Sequence, residues 1–121
     1  ATDAAEVYYA IVEATAFGVK AMVDTLVDNG VALDSITAIG GIAVKSPFIV
    51  QFLADVLGMD IFVPNLTQAC GLGSAINAAV ASGCWPTLID AQKAMCVTEG
   101  VKYTASSARD FSGRYARYRN M

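Results

Sequence analysis

Two short β-branched runs, SITAI at 35–39 and MDIFVP at 59–64, stand on either side of a single helix-length segment. Turn formers bound both, with Gly40-Gly41 after the first run, Gly58 before the second and Pro64 ending it, so each reads as a buried strand. Between them Ser46 is placed to cap a helix with Pro47 in its first turn. Ile49, Phe52, Leu53 and Val56 give that helix one apolar face, and Gly58 ends it. A strand–helix–strand unit of this kind makes its two strands parallel and adjacent, with a right-handed crossover. Parallel strands need cover on both faces, and two strands are too few for a stable sheet, so this unit limits every fold the chain can adopt.

The remaining residues supply helices rather than strands. Residues 4–29 predict a long helix in which Val7, Ile11, Ala14, Gly18, Met22 and Thr25 form one stripe and Glu6, Glu13 and Lys20 another, with Asn29-Gly30 as its stop. The small residues of GLGSAINAAVASG predict a helix over 71–83. Further helices are expected over 87–96 and 107–119, with Trp85-Pro86 in the loop before them. The expectation is a single α/β domain over residues 1–121, with two adjacent parallel strands, several packing helices, and a sheet that is mostly missing. Either the chain is a piece of a larger fold, or its strands complete a sheet with another chain.

Composition bears on that choice. The chain is 55% hydrophobic and only 16% charged, richer in apolar material than one isolated 121-residue domain needs. Apolar surface meant for a partner is therefore expected, and with an open sheet edge it predicts self-association. No apolar run approaches the ~18 residues of a membrane span, and ATDAAEVYY has neither the basic start nor the apolar stretch of a signal peptide. A net charge of −3 argues against general nucleic-acid binding. Lys102, Arg109, Arg114, Arg117 and Arg119 crowd the C-terminal end, which reads as a solvated helix face. Cys70, Cys84 and Cys96 form no CxxC and read as reduced, small apolar side chains of a cytoplasmic protein. The absence of histidine removes Ser-His-Asp and Cys-His schemes and the commonest zinc sites, so neither a catalytic residue nor a metal ligand is assigned.

The diglycine turn is the principal candidate site. Open α/β sheets bind ligands beyond the C-terminal ends of their parallel strands, and glycines there let a ligand approach the backbone. A plain tight turn needing positive φ at one residue is the other reading, and it accounts for one glycine, not two. GGIAVKS is not a P-loop, because no glycine immediately precedes Lys45. GLGSA fails as a dinucleotide fingerprint at Ile76, and Gly71, Ala75 and Ala79 suggest instead a helix face for close packing. Asp24 follows Lys20 by four residues and, with Asp28, reads as a charged solvated face; Asp55 reads as an exposed or hydrogen-bonded helix residue. Tyr103, Tyr115 and Tyr118 read as packing for the last helix.

Three segments together resemble a known family. EATAFGVKAMVDTLVDNGV (13–31), AIGGIAVKSPFIVQFLADVLGMDIFV (38–63) and QACGLGSAINAAVASG (68–83) are similar to the C-terminal domain of FGGY carbohydrate kinases, sugar kinases of the actin-like, ribonuclease-H-type fold. TAFG in the first helix, the spacing of GGIA to KSP, and AQKAM at 91–95 are nearest to its ribulokinase branch. The resemblance implies part of the second domain of such a kinase, with the diglycine turn lying against the adenine and ribose of ATP. Carried over residue by residue it implicates Gly40, Gly41 and Ser46, with Lys45 beside them; Ser46 stands where ribulokinases often have Asn. It further implies MgATP as phosphoryl donor and a ketose as acceptor. The phosphate segments, the catalytic aspartate, the magnesium ligands and the sugar site would lie upstream of this chain. A non-catalytic association module built on the same half-sheet is the rival reading.

Overall fold

The computed structural model describes residues 2–121. Nine elements follow one another: α1 (Ala4–Asp28), β1 (Ile36–Thr37), α2 (Gly41–Lys45), α3 (Pro47–Leu57), β2 (Ile61–Pro64), α4 (Ala69–Ala81), α5 (Leu88–Met95), β3 (Gly100–Tyr103) and α6 (Ser112–Arg119). The α/β class holds, but the sheet has three strands in the order β1-β2-β3 rather than two. β1 and β2 are parallel as expected, with Ile36 opposite Ile61. β3 pairs antiparallel on the other side of β2, Tyr103 facing Ile61 and Gly100 facing Pro64. The first strand is shorter than expected and not buried: Ile36 is half-buried and Thr37 and Ile39 are exposed, because β1 is an edge with no strand beyond it among the described residues.

The chain packs around α3, whose sequence PFIVQFLADVL is apolar on nearly every side. Phe52 and Val56 meet Val12, Ala16 and Phe17 of α1 and Phe111 before α6. Val50, Ala54 and Leu57 meet Ile61 and Val63 of β2 and Ala43 of α2. The two polar residues of α3, Gln51 and Asp55, tie down the chain after β3. Gln51 Nε2 donates to Asp55 Oδ1 at 2.8 Å and to the Thr104 carbonyl at 2.9 Å, and Ser106 N donates to Asp55 Oδ1 at 2.9 Å. Asp55 is thus hydrogen-bonded, as the sequence allowed.

α1 starts at a capping box. Glu6 N donates to Asp3 Oδ1 at 2.8 Å while Asp3 N donates to Glu6 Oε2 at 3.1 Å. Its inward face is not the one expected: Val12, Ala16 and Phe17 are buried, whereas Val7, Ile11 and Met22 are exposed. The helix carries apolar residues on two faces, and the packing partner selects one.

α6 starts at Ser112 rather than 107. Arg117 and Arg119 are exposed as expected, but the other three basic residues of the C-terminal cluster are engaged rather than merely solvated. Arg114 pairs with Glu13 at 3.1 Å, Arg109 donates to Tyr9 Oη at 3.3 Å, and Lys102 of β3 pairs with Asp60 at 2.8 Å. Asp24 is likewise no free surface charge. It pairs with Lys20 at 3.2 Å and accepts a hydrogen bond from the Tyr115 hydroxyl at 2.5 Å. Tyr115 and Tyr118 pack on Phe17, as expected of the last helix, whereas Tyr103 belongs to the sheet-side core.

α4 and α5 pack on each other as a helical hairpin, burying Ile76 and Ala91. The expected close-packed face is corrected here: Gly71 and Ala75 are exposed and Ala79 only half-buried. The three cysteines are free thiols, all exposed, and not core residues. Among the described residues no helix is long and apolar enough to cross a membrane.

Candidate functional site

The C-terminal end of β1 runs through Ala38, whose N–H donates to the Phe62 carbonyl at 2.9 Å, into Ile39 and the two glycines. The glycines do different things. Gly40 is the N-cap of α2 with φ 99° and ψ 176°, a conformation reserved in practice for glycine. Gly41 is the first residue of α2, and its φ lies outside the positive range. At both, a Cβ atom would meet nothing within 4 Å. Backbone geometry therefore demands glycine at 40. Neither geometry nor packing demands it at 41.

The short helix α2 was not expected from sequence, where Gly40-Gly41 and Ser46 were read as one turn and one cap. Its last residue is Lys45, exposed, and Ser46 links it to α3. Five residues of helix span about 7 Å, so Gly40-Gly41 and Lys45-Ser46 sit at opposite ends of one small element. Ser46 holds the N-cap position of α3, but its hydroxyl makes no capping hydrogen bond. As the residue before Pro47 it is kept out of the helical region, at φ −129° and ψ 80°, while its N–H is held by the Ile42 carbonyl at 2.9 Å. The Ser46 carbonyl instead accepts from Ile49 N at 3.1 Å and Val50 N at 3.3 Å. The capping role is thus corrected, and the hydroxyl is left free of that duty.

Beside α2, past the C-terminal end of β2, lies a cavity of about 280 Å³. Val44, Val63 and Val101 give it apolar walls, with Asn65 and Thr67 among its polar lining residues. None of the four sequence-predicted residues lines it. The signal that could have found it is positional: Asn65–Thr67 follow a parallel strand directly, where open sheets place ligands. Larger cavities lie elsewhere. One of about 410 Å³ is at the opposite end of the strands, between Asp34 and Lys102, and one of about 580 Å³ runs between the end of α3 and α6. Among the described residues no group of three or more acidic or thiol side chains is arranged to hold a metal ion.

Charge around the site is sparse. The carboxylates held below their ordinary range lie in other regions: Asp24 through the Tyr115 hydroxyl, Asp60 through Lys102, and Asp110 through Ser112. Tyr115 is raised, first by burial and then by its bond to Asp24. These groups secure α6 and β3 and carry no chemistry at the diglycine turn.

Residues 1–82 match the FGGY family of carbohydrate kinases, C-terminal domain. Ribulokinase of Vibrio parahaemolyticus is 44% identical over 117 residues, which is 95% of this chain and 21% of that protein. Ribulokinase of Bacillus licheniformis is 47% identical over 83 residues, covering 69% of the chain and 15% of the relative. Ribulokinase of Mycolicibacterium smegmatis is 40% identical over 82 residues, covering 68% and 14%. The chain thus spans about a fifth or less of the length of the curated relatives it matches. With the matched segment running from α1 through α4 and containing the diglycine turn, the chain belongs to the FGGY family of carbohydrate kinases.

Proposed function

We propose that this chain is the nucleotide-side portion of an ATP-dependent sugar kinase of actin-like fold. In that role it helps hold adenosine while the γ-phosphate of ATP passes to a ketose hydroxyl, as in the ribulokinases it is similar to. The observation that carries the reading is Gly41. It is a residue with open space where a side chain would stand, no conformational need for glycine, and a neighbour whose glycine is conformationally required. A flat ligand lying on the backbone supplies the missing reason. The cavity beside α2 offers the base an apolar wall and polar edges within reach of the same element. Lys45 and the Ser46 hydroxyl bound the far end of α2, where the ribose or its phosphate side would lie.

Adenosine binding is the limit of what these residues do. Magnesium enters with ATP as part of the substrate and is assigned no ligand in this chain. The catalytic base and the sugar pocket belong to parts of the kinase outside it. The working location is the cytoplasm, where MgATP is supplied.

Titration of the backbone amides with ADP tests the reading. Shifts confined to 40–46 and 63–67 are expected, and no change at Gly40 and Gly41 would favour the association module. Phosphoryl transfer from ATP to ribulose by the 121 residues alone would overturn the division of labour.

A further inference from the structure

Asn29-Gly30 is the chain's one asparagine–glycine pair; Asn65, Asn77 and Asn120 precede leucine, alanine and methionine. With no side chain on the glycine, its amide nitrogen is unshielded and can attack the side-chain amide of the asparagine before it. Both residues are exposed, where α1 passes into the loop to β1.

In the folded chain the two reacting groups are held apart. Asn29 is the C-cap of α1 at φ −90° and ψ 14°, and Gly30 follows at φ 83°. Ring closure needs the Gly30 nitrogen and Asn29 Cβ on the same side of the Cα–C bond, and at this ψ the nitrogen lies over the Asn29 N instead. The Gly30 N–H donates to the Val27 carbonyl at 2.9 Å and the Val31 N–H to the Leu26 carbonyl at 3.0 Å, the two bonds of a Schellman cap. Asn29 Nδ2 is tied as well, donating to the Thr25 carbonyl at 2.7 Å.

That cap is only as firm as the turn it closes, and helix ends open at small cost in free energy. Asp28 sets a negative charge at the negative end of the helix dipole, with no basic residue in the last turn to offset it. Leu26 and Val31, the positions whose contact commonly covers a Schellman cap, are 45% and 44% exposed. Every group that takes part lies between Thr25 and Val31.

We propose that Asn29 is a site of spontaneous deamidation, gated by opening of the last turn of α1. Once the turn opens, the Gly30 amide yields its proton to base and its nitrogen bonds to Asn29 Cγ. Nδ2 takes up a proton and leaves as ammonia, closing a succinimide. Water then adds to one ring carbonyl and breaks that carbon's bond to the ring nitrogen, which regains a proton. Opening at Cγ leaves aspartate at position 29. Opening at the main-chain carbonyl leaves isoaspartate, with the backbone routed through Cβ. One water is consumed and one ammonia released. Neither product restores the cap, because a carboxylate cannot donate to the Thr25 carbonyl and adds charge beside Asp28.

Mass spectrometry of the aged 121-residue chain and its peptides tests the proposal. The expected result is exchange of the amide for an acid at Asn29 ahead of the other asparagines, faster at mildly alkaline than at mildly acid pH, with aspartate and isoaspartate both formed. Leu26→Gly should speed conversion by about fivefold, the weight of one glycine in a helix, and unfolding in urea should speed it further. Circular dichroism checks that Leu26→Gly stays folded. Asn29→Gln should abolish the conversion, and Asn29→Asp should lower the urea midpoint. Conversion first at Asn65, Asn77 or Asn120, or none in the folded chain while the unfolded chain converts, overturns the site. A rate raised by urea but not by Leu26→Gly, or raised by neither, overturns the last turn as its gate. An unchanged urea midpoint in Asn29→Asp overturns the loss of the cap.

Discussion

Replacing each glycine of the diglycine turn by alanine separates conformational need from ligand need. At Gly40, φ 99° with ψ 176° lies in a region that L-residues enter only under strain, at about 1–3 kcal/mol. With open space around the new methyl group, Gly40→Ala carries that strain and no clash, so a loss of about 2 kcal/mol is expected. At Gly41 the backbone is already helical, and alanine lowers the entropy lost on folding, a gain of about 0.5 kcal/mol. Urea unfolding with a slope of about 1 kcal/mol per M turns these figures into midpoints about 2 M lower for Gly40→Ala and about 0.5 M higher for Gly41→Ala.

Binding should show the opposite sign at residue 41. The new methyl group stands between the backbone and a ligand lying on it, so ADP affinity falls by about tenfold or more, or about 1.4 kcal/mol, in a protein that is more stable than its parent. Amide titration with ADP measures this directly. Equal destabilisation at both positions would refute the division of roles. Unchanged ADP affinity in Gly41→Ala would refute the bare-backbone surface.

Gly100→Ala should lose more than about 2 kcal/mol, because the added Cβ would sit on the Val63 carbonyl oxygen and 2.6 Å from the Phe62 ring; urea unfolding and loss of amide protection along β2 and β3 check it. Phe17→Ala removes the ring shared by Phe111, Tyr115 and Tyr118 and should destabilise by about 3–5 kcal/mol, releasing α6 as seen in its tyrosine fluorescence. Tyr115→Phe should lose about 1 kcal/mol at neutral pH, the modest value of a half-exposed bond to a charged group. Its pH dependence has two signs. Asp24 is depressed, so its contribution is present above about pH 4 and is lost as pH falls through the folded value. Tyr115 is raised, so its contribution is present below about pH 10 and is lost as pH rises through the folded value. Parent and Tyr115→Phe stabilities should therefore converge in acid and in strong base. A constant difference from pH 3 to 11 would sink the assignment.

What the sequence made legible follows how local each signal is. α3 and β2 were readable because their apolar residues repeat at one period and end at Gly58 and Pro64. β3 was not, because GVKY begins with a glycine and becomes a strand only through β2. The reason for Gly100 is a carbonyl 37 residues earlier in the chain, at Val63. Ser46 was readable as a cap by residue type. Its hydroxyl makes no capping bond, because the Ile49 N–H that such a cap would receive donates to the Ser46 carbonyl, with Ser46 held at ψ 80° before Pro47. The diglycine turn was legible as a place, while the split of roles between its two residues needed the dihedral angles.

α1 marks a different limit, since its periodicity was strong and still gave the wrong inward face. A helix with apolar residues at 12, 16 and 17 and also at 7, 11 and 22 satisfies the amphipathic pattern twice, and local sequence holds nothing that ranks the two faces. What ranks them is the partner. α3, the residue before α6, and α6 itself present Phe52, Phe111 and Tyr115, and four polar contacts along one side of α1, at Tyr9, Glu13, Lys20 and Asp24, fit that face alone. The second face is then surplus to the core that these residues build. It also lacks the charges that would suit it to water. Over six turns of helix such a face implies a second packing surface, and it holds part of the chain's exposed apolar excess. The same reasoning predicts that charge added at Met22 should leave the fold intact and change only what the helix binds.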